Sequence, residues 1–196
     1  MQAKERSRPL LLVDIDGVIS LFGFSASDLR AGTRDGQRDG RFHSIDGIPH
    51  FLSTAAAENL LSLVSVFDLA WCSGWEEKAE EYLPHLLGLP AGLPFLRFER
   101  DGMYDGADGV GVEGVDGVAR VTRAHWKLDA IDAFAGPRRP LAWIDDAFNE
   151  ACHEWAAARP GATLLVQTAP QVGLTQLEAL KLTEWASSQV QAGSQG

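Results

Sequence analysis

Asp14 and Asp16 stand two residues apart at the end of an apolar run, Leu10-Leu11-Leu12-Val13, with Gly17 directly after them. Four consecutive apolar residues following Pro9 read as a buried strand that Gly17 stops. Alternate residues of a strand share a face, and a tight turn past its end can aim both carboxylates into one crevice. In open α/β sheets that crevice, beyond the carboxyl ends of the strands, is where ligands bind. Two acids this close on a buried strand carry desolvation and repulsion costs that a cation offsets. The pair therefore points to a bound Mg²⁺ with Asp14 as a nucleophile.

Other strand ends carry reactive groups too. The run Phe67 to Cys72 ends at Ser73-Gly74-Trp75-Glu76, and the run Pro140 to Ile144 ends at Asp145-Asp146. A helix expected from Thr122 to Phe134 carries Arg123 and Lys127 four residues apart on one face. Each has an ordinary explanation. The Asp-x-Asp-Gly segment could be a turn, Ser73 a capping-box residue with Glu76, Lys127 a solvated lysine, and Asp146 an N-cap. All four in this order are hard to obtain as unrelated turn chemistry.

Val13-Asp14-Ile15-Asp16-Gly17-Val18, Trp71-Cys72-Ser73, Lys127 and Trp143-Ile144-Asp145-Asp146 resemble the four motifs of the haloacid dehalogenase (HAD) superfamily, spanning residues 10 to 150. More narrowly, Ala70-Trp71-Cys72-Ser73-Gly74-Trp75, His125-Trp126-Lys127 and Leu141-Ala142-Trp143-Ile144-Asp145-Asp146 resemble the HAD domain of bacterial Swiss army knife RNA-repair proteins. Gly173-Leu174-Thr175, before a helix ending in Trp185-Ala186, fits that group as well.

The resemblance implies a Mg²⁺-dependent phosphatase. Asp14 would form an aspartyl-phosphate, and Asp16 would protonate the leaving oxygen and then deprotonate water. Asp14, the backbone carbonyl of Asp16, and Asp145 would hold the ion, with Asp146 acting directly or through a water. Ser73 and nearby backbone N–H groups would bind the transferring oxygens, while Lys127 steadies Asp14. Dehalogenases of this superfamily characteristically lack an acid two residues after the nucleophile, so Asp16 favours phosphoryl chemistry. Val18 departs from the threonine frequent there, at a position that contributes mainly backbone and packing.

These groups need a scaffold. Apolar runs at Leu10–Val13, Phe67–Cys72, Pro94–Phe98, Pro140–Ile144 and Thr163–Gln167 alternate with helical segments. That pattern predicts an α/β three-layer sandwich with a largely parallel five-stranded, Rossmann-like sheet and a flap or minimal cap. Helices are expected over Thr54–Val66 (Leu60, Leu61 and Val64 inward), from Ser73-Gly74-Trp75-Glu76 to about Leu87 (kinked or divided at Pro84), and over Ala147–Ala158 and Leu174–Ser187 (Leu177, Leu180 and Trp185 inward). Residues 19–53 read as a flap or small insertion, 101–117 as a Gly/Asp-rich loop, and 190–196 as a frayed tail. Met103 and Val112 fall where a Ca²⁺ loop needs oxygen ligands, which weakens that reading of the loop.

The 196 residues, 45% hydrophobic, suit one domain with one substantial core. A net charge of −10 argues against indiscriminate binding of nucleic acid or anionic membrane. Within the flap, residues 28–41 are nonetheless mildly basic, with Arg30, Arg34, Arg38 and Arg41 against Asp28, Asp35 and Asp39. Only Cys72 and Cys152 occur, as expected of a reduced cytoplasmic protein, and neither a signal peptide nor a membrane span is evident. The expected partner is a phosphorylated substrate, a small molecule or a nucleic-acid end, met by Gly74, Arg41, Arg123 and Trp75. The competing readings are a catalytically inactive HAD-like domain that binds a ligand or partner, and a small-metabolite phosphatase or phosphotransferase. The oligomeric state is left open.

Overall fold

Strand β1 (Leu10–Val13) lies between two parallel neighbours, so all four of its residues are buried. The structure, a computed structural model, describes residues 8–23, 39–98 and 124–192. Leaving aside a second, antiparallel sheet of β2 (Ser20–Leu21), β3 (Gly40–Ile45) and β4 (Ile48–Ser53), the main sheet has the order β5 (Asp68–Trp71), β1, β6 (Leu141–Asp145), β7 (Thr163–Gln167), parallel throughout. Alternate side chains point to opposite faces and build two cores. Leu11, Val13, Leu69, Trp71, Ala142 and Ile144 share one, and Leu10, Leu12, Ala70, Cys72, Leu141 and Trp143 the other. Helices cover both, giving the expected three-layer α/β sandwich.

Among the described residues the main sheet has four strands rather than five. Pro94–Phe98 contributes a single parallel bridge, Trp71 to Phe95, closed by Trp71 N–H to Pro94 O and Leu96 N–H to Trp71 O, both at 2.9 Å. Pro94 has no N–H to extend a ladder, so the fifth strand stops at one residue on the β5 edge.

The expected flap contains a second sheet. β2 (Ser20–Leu21), β4 (Ile48–Ser53) and β3 (Gly40–Ile45) pair antiparallel in the order β2-β4-β3. The β3–β4 hairpin turns through Asp46-Gly47, with φ of +53° and +82°. That two-residue turn matches the right-handed twist of its strands. Arg30, Arg34 and Arg38 lie outside the described residues, as do the 101–117 loop, Thr122 and the end of the tail.

Helix α1 (Thr54–Leu63) is capped by Ser53 Oγ, which accepts from Ala56 N–H at 3.1 Å. It buries Ala56, Ala57, Leu60 and Leu63, whereas Leu61, expected inward, is 39% exposed. Helix α2 (Glu77–Leu87) runs unbroken through Pro84 and ends at Gly88 with φ of +68°. A 3₁₀ turn (Ala124–Lys127) leads into α3 (Leu128–Ala135), and Asn149 caps α4 (Glu150–Ala158).

Helix α5 extends over Gln176–Ala192, so residues 190–192 are helical. Its buried stripe is Ala179, Leu182 and Ala186, with Trp185 stacked on Phe67 at 6.2 Å. Leu177 and Leu180, expected inward, fall on the opposite side and are 77% and 53% exposed. Spacing of three and four from Ala179 defines the packed face, and Leu177 lies two residues out of phase with it. Among the described residues no helix is long and apolar enough to cross a membrane.

Candidate active site

Val13 and Ile144 are register partners, so Asp14 and Asp145 emerge side by side at the carboxyl edge of the sheet, and Asp14 N–H donates to Ile144 O at 3.0 Å. Lys127 reaches in from the 3₁₀ turn. Its Nζ lies 2.9 Å from Asp14 Oδ2 and 2.7 Å from Asp145 Oδ2, and all three residues are buried. Lys127 is therefore no solvated helix lysine. The remaining oxygens are held by backbone: Asp14 Oδ1 accepts from Ile15 N–H at 2.8 Å and Asp145 Oδ1 from Ala147 N–H at 3.0 Å. Asp146, half-buried, completes the group, for one carboxylate oxygen from each of Asp14, Asp145 and Asp146 lies within 4.8 Å of the others.

Three carboxylates against one ammonium leave two uncompensated negative charges, which is the charge of one divalent cation. The proton affinities reflect that deficit. Burial pushes the Asp146 carboxyl up to about 6, with Asp145 adding repulsion. Burial also raises Asp14, where the attraction of Lys127 opposes the repulsion of Asp145 and Asp16. Burial works against the Lys127 ammonium, but Asp14 and Asp145 together outweigh it and hold the group charged. A close, oxygen-only donor set with excess negative charge fits a hard cation such as Mg²⁺.

The segment after Asp14 is a tight turn. Gly17, at φ +72°, packs so close to Asp146 that a Cβ there would lie 2.5 Å from Asp146 Cγ. Thr168, one residue past β7, fastens this turn to β6: its Oγ1 donates to Gly17 O at 2.8 Å and its N–H to Asp145 O at 3.1 Å. The Asp16 side chain lies outside the three-carboxylate group. Trp75 Nε1 donates to Asp16 Oδ2 at 2.9 Å, and His50 Nδ1 lies 3.8 Å from Asp16 Oδ1.

Ser73 follows β5, where Cys72 N–H still donates to Val13 O at 2.8 Å. Ser73 is buried, and its Oγ has no hydrogen-bond partner among the described residues. The capping role does not arise, because α2 starts only at Glu77 and its cap position, Glu76, receives no side-chain cap. Glu76 instead takes φ +48°, ψ −124°, a conformation L residues rarely adopt and which costs about 1–3 kcal/mol. Its carboxylate accepts from Phe98 N–H at 3.0 Å, which anchors the bend. Asp146 likewise escapes its ordinary role, since Asn149 Oδ1 caps the next helix by accepting from Cys152 N–H at 3.2 Å.

The expected substrate-binding residues are more scattered. Gly74 is exposed, with open space where a Cβ would stand. Trp75 faces Asp16. Arg41 is an exposed residue of β3, opposite Leu52, and forms no ion pair among the described residues. Arg123 lies outside the described residues. Sequence reasoning missed His50 and Thr168. The second had a signal, for Thr168 directly follows an apolar strand, as Asp14 does.

No protein-family model matches the chain, and no curated protein matches it. Among solved structures, the chain is similar to the HAD domain of the effector protein Lem4 from Legionella pneumophila, at 10% identity and a TM-score of 0.49, over 90% of this chain and 94% of that one.

Proposed function

We propose that the chain is a HAD-like, Mg²⁺-dependent phosphoric monoester hydrolase. The observation that carries this reading is the buried Lys127 ammonium between Asp14 and Asp145 at the carboxyl edge of a parallel sheet, beside Asp146. Asp14, Asp145 and Asp146 would hold the ion, which offsets repulsion between these carboxylates and a phosphate dianion.

Asp14 attacks phosphorus, and the bond from phosphorus to the ester oxygen breaks as Asp16 delivers a proton to that oxygen. Water then adds to the aspartyl-phosphate while Asp16 takes one of its protons, releasing inorganic phosphate, freeing the Asp14 carboxylate and returning Asp16 to its protonated form. Lys127 fixes Asp14 and balances charge on the transferring oxygens. Ser73 Oγ, unengaged by any helix cap, supplies a hydroxyl to those oxygens. Both cysteines are free and buried, in keeping with a reducing cytoplasmic setting.

The test is turnover of an aryl phosphate and a panel of small phosphate esters and 3′- and 5′-phosphorylated oligonucleotides, with and without Mg²⁺. Turnover should require the ion and fall at least about a thousandfold in Asp14→Asn. An Asp14→Asn protein with full activity would remove the nucleophile assignment. Turnover of oligonucleotide ends alone would place the substrate among nucleic acids, and turnover of sugar phosphates alone would exclude them.

A further inference from the structure

We infer that His50 and Trp75 are positioning residues that clamp Asp16 on the leaving-group side of the site, which makes alkyl phosphate monoesters the substrate class. This rests on the phosphatase reading above. Asp16 is the one acid of the site outside the three-carboxylate group, it forms no ion pair with Lys127, and its side chain is 48% exposed. A short exposed carboxylate would ordinarily sample several rotamers. Here Oδ2 accepts from Trp75 Nε1 at 2.9 Å, and Oδ1 lies beside the His50 ring, 3.8 Å from its Nδ1. The two rings touch edge to face, with centroids 4.7 Å apart, and His50 Nδ1 is itself held by Ser20 Oγ at 3.0 Å.

The arms of this clamp come from different elements, and the fold fastens them together. His50 is on β4, and the tip of its hairpin is tied to α2, where Asp46 accepts from Lys78 Nζ and, at 3.1 Å, from Tyr82 Oη. Trp75 stands just before α2. Among the described residues only two non-glycine positions have positive φ, Asp46 and Glu76. One turns the hairpin that carries His50, and the other directly follows Trp75. Among the described residues, positive φ outside glycine is thus found only at the two bends that deliver the clamp, a distribution that packing alone does not require.

Holding an acid still matters in proportion to how poor the leaving group is. An alkoxide leaves only if it is protonated as the bond from phosphorus to oxygen breaks. A dinitrophenolate, an acyl group or a phosphoanhydride leaves without that help. A chain that immobilises Asp16 is built for esters of ordinary alcohols.

Turnover is therefore measured across phosphate monoesters from alkyl to dinitrophenyl for wild type, Trp75→Phe, His50→Ala and His50→Asn, with thermal melts to register folding. In Trp75→Phe and His50→Ala, kcat should fall at least about tenfold further for the alkyl ester than for the dinitrophenyl ester, reproducing in weaker form the pattern of Asp16→Asn. His50→Asn, which keeps a side-chain donor near Asp16, should recover most of the alkyl rate lost in His50→Ala. Equal losses for all esters, or none, overturn the clamp while leaving the phosphatase standing. A wild-type protein inert towards the whole series overturns both. Should Trp75→Phe fail to melt cooperatively, the two His50 variants decide the matter.

Discussion

The side chain of Asp146 occupies the space that any Cβ at Gly17 would need, with Cγ 2.5 Å from that position. Gly17 also sits at φ +72°, where other residues are strained. Gly17→Ala should therefore push Asp146 out of the carboxylate group. A stability loss of about 1–3 kcal/mol in urea titration is expected. Mg²⁺ affinity by calorimetry should fall by about tenfold or more. Unchanged affinity would show that Asp146 is not needed for the ion.

Lys127→Met leaves Asp14 and Asp145 buried without their shared ammonium. Removing one partner of a buried ion pair costs about 3–5 kcal/mol, so chemical denaturation should show a loss of that order. Mg²⁺ should raise the melting temperature of this variant more than that of wild type, because the cation then compensates a larger excess of negative charge.

The raised Asp146 carboxyl sets a pH window. Its affinity for protons, lifted from 3.8 to about 6, means that the folded chain holds a proton there that the unfolded chain has released. Without metal, this group's contribution to stability is present below pH 3.8 and is lost as pH rises through about 6. Metal needs the deprotonated form, so protons and Mg²⁺ compete. The rise in melting temperature produced by Mg²⁺ should grow from about pH 5 to pH 7 and level off above. A shift independent of pH over that range would remove Asp146 from the ion's ligands.

Thr168→Val keeps the shape of the side chain but deprives the Gly17 carbonyl of the Oγ1–H donor at 2.8 Å. A buried acceptor left without a partner costs about 1–3 kcal/mol, and Thr168→Ser should restore most of it. Equal stability of the valine and serine variants would show that the methyl group, not the hydroxyl, holds the turn.

The strands and the acids at their ends were legible because continuous apolar runs and strand-end carboxylates are local signals. Asp14, Asp145 and Asp146 could be expected at one edge from sequence, and Lys127 with them, although its burial could not. The β3–β4 hairpin was also legible in principle. Asp46-Gly47 between two short alternating segments is a strong turn signal, but the surrounding Gly, Asp and Arg residues hid it. Which face of α5 packs was not legible, since Leu177 and Leu180 are as apolar as Leu182 and only the partner α1 decides between them. Whether Ser73 and Asp146 cap a helix depended on where α2 and α4 begin. A strained residue at Glu76 and a better cap at Asn149 settled those starts.

The pairing of Leu10 with Leu141 has a consequence for how the protein becomes competent during synthesis. Synthesis that has passed residue 98 has already made Asp14, Asp16, His50 and Trp75. The strand that leads to Asp14 still lacks one flank, and Lys127 and Asp145 are not yet made. Long-range closure of this kind is slow compared with local helix formation. A product terminated before Lys127 would therefore lack the ammonium and two of the three carboxylates that build the group.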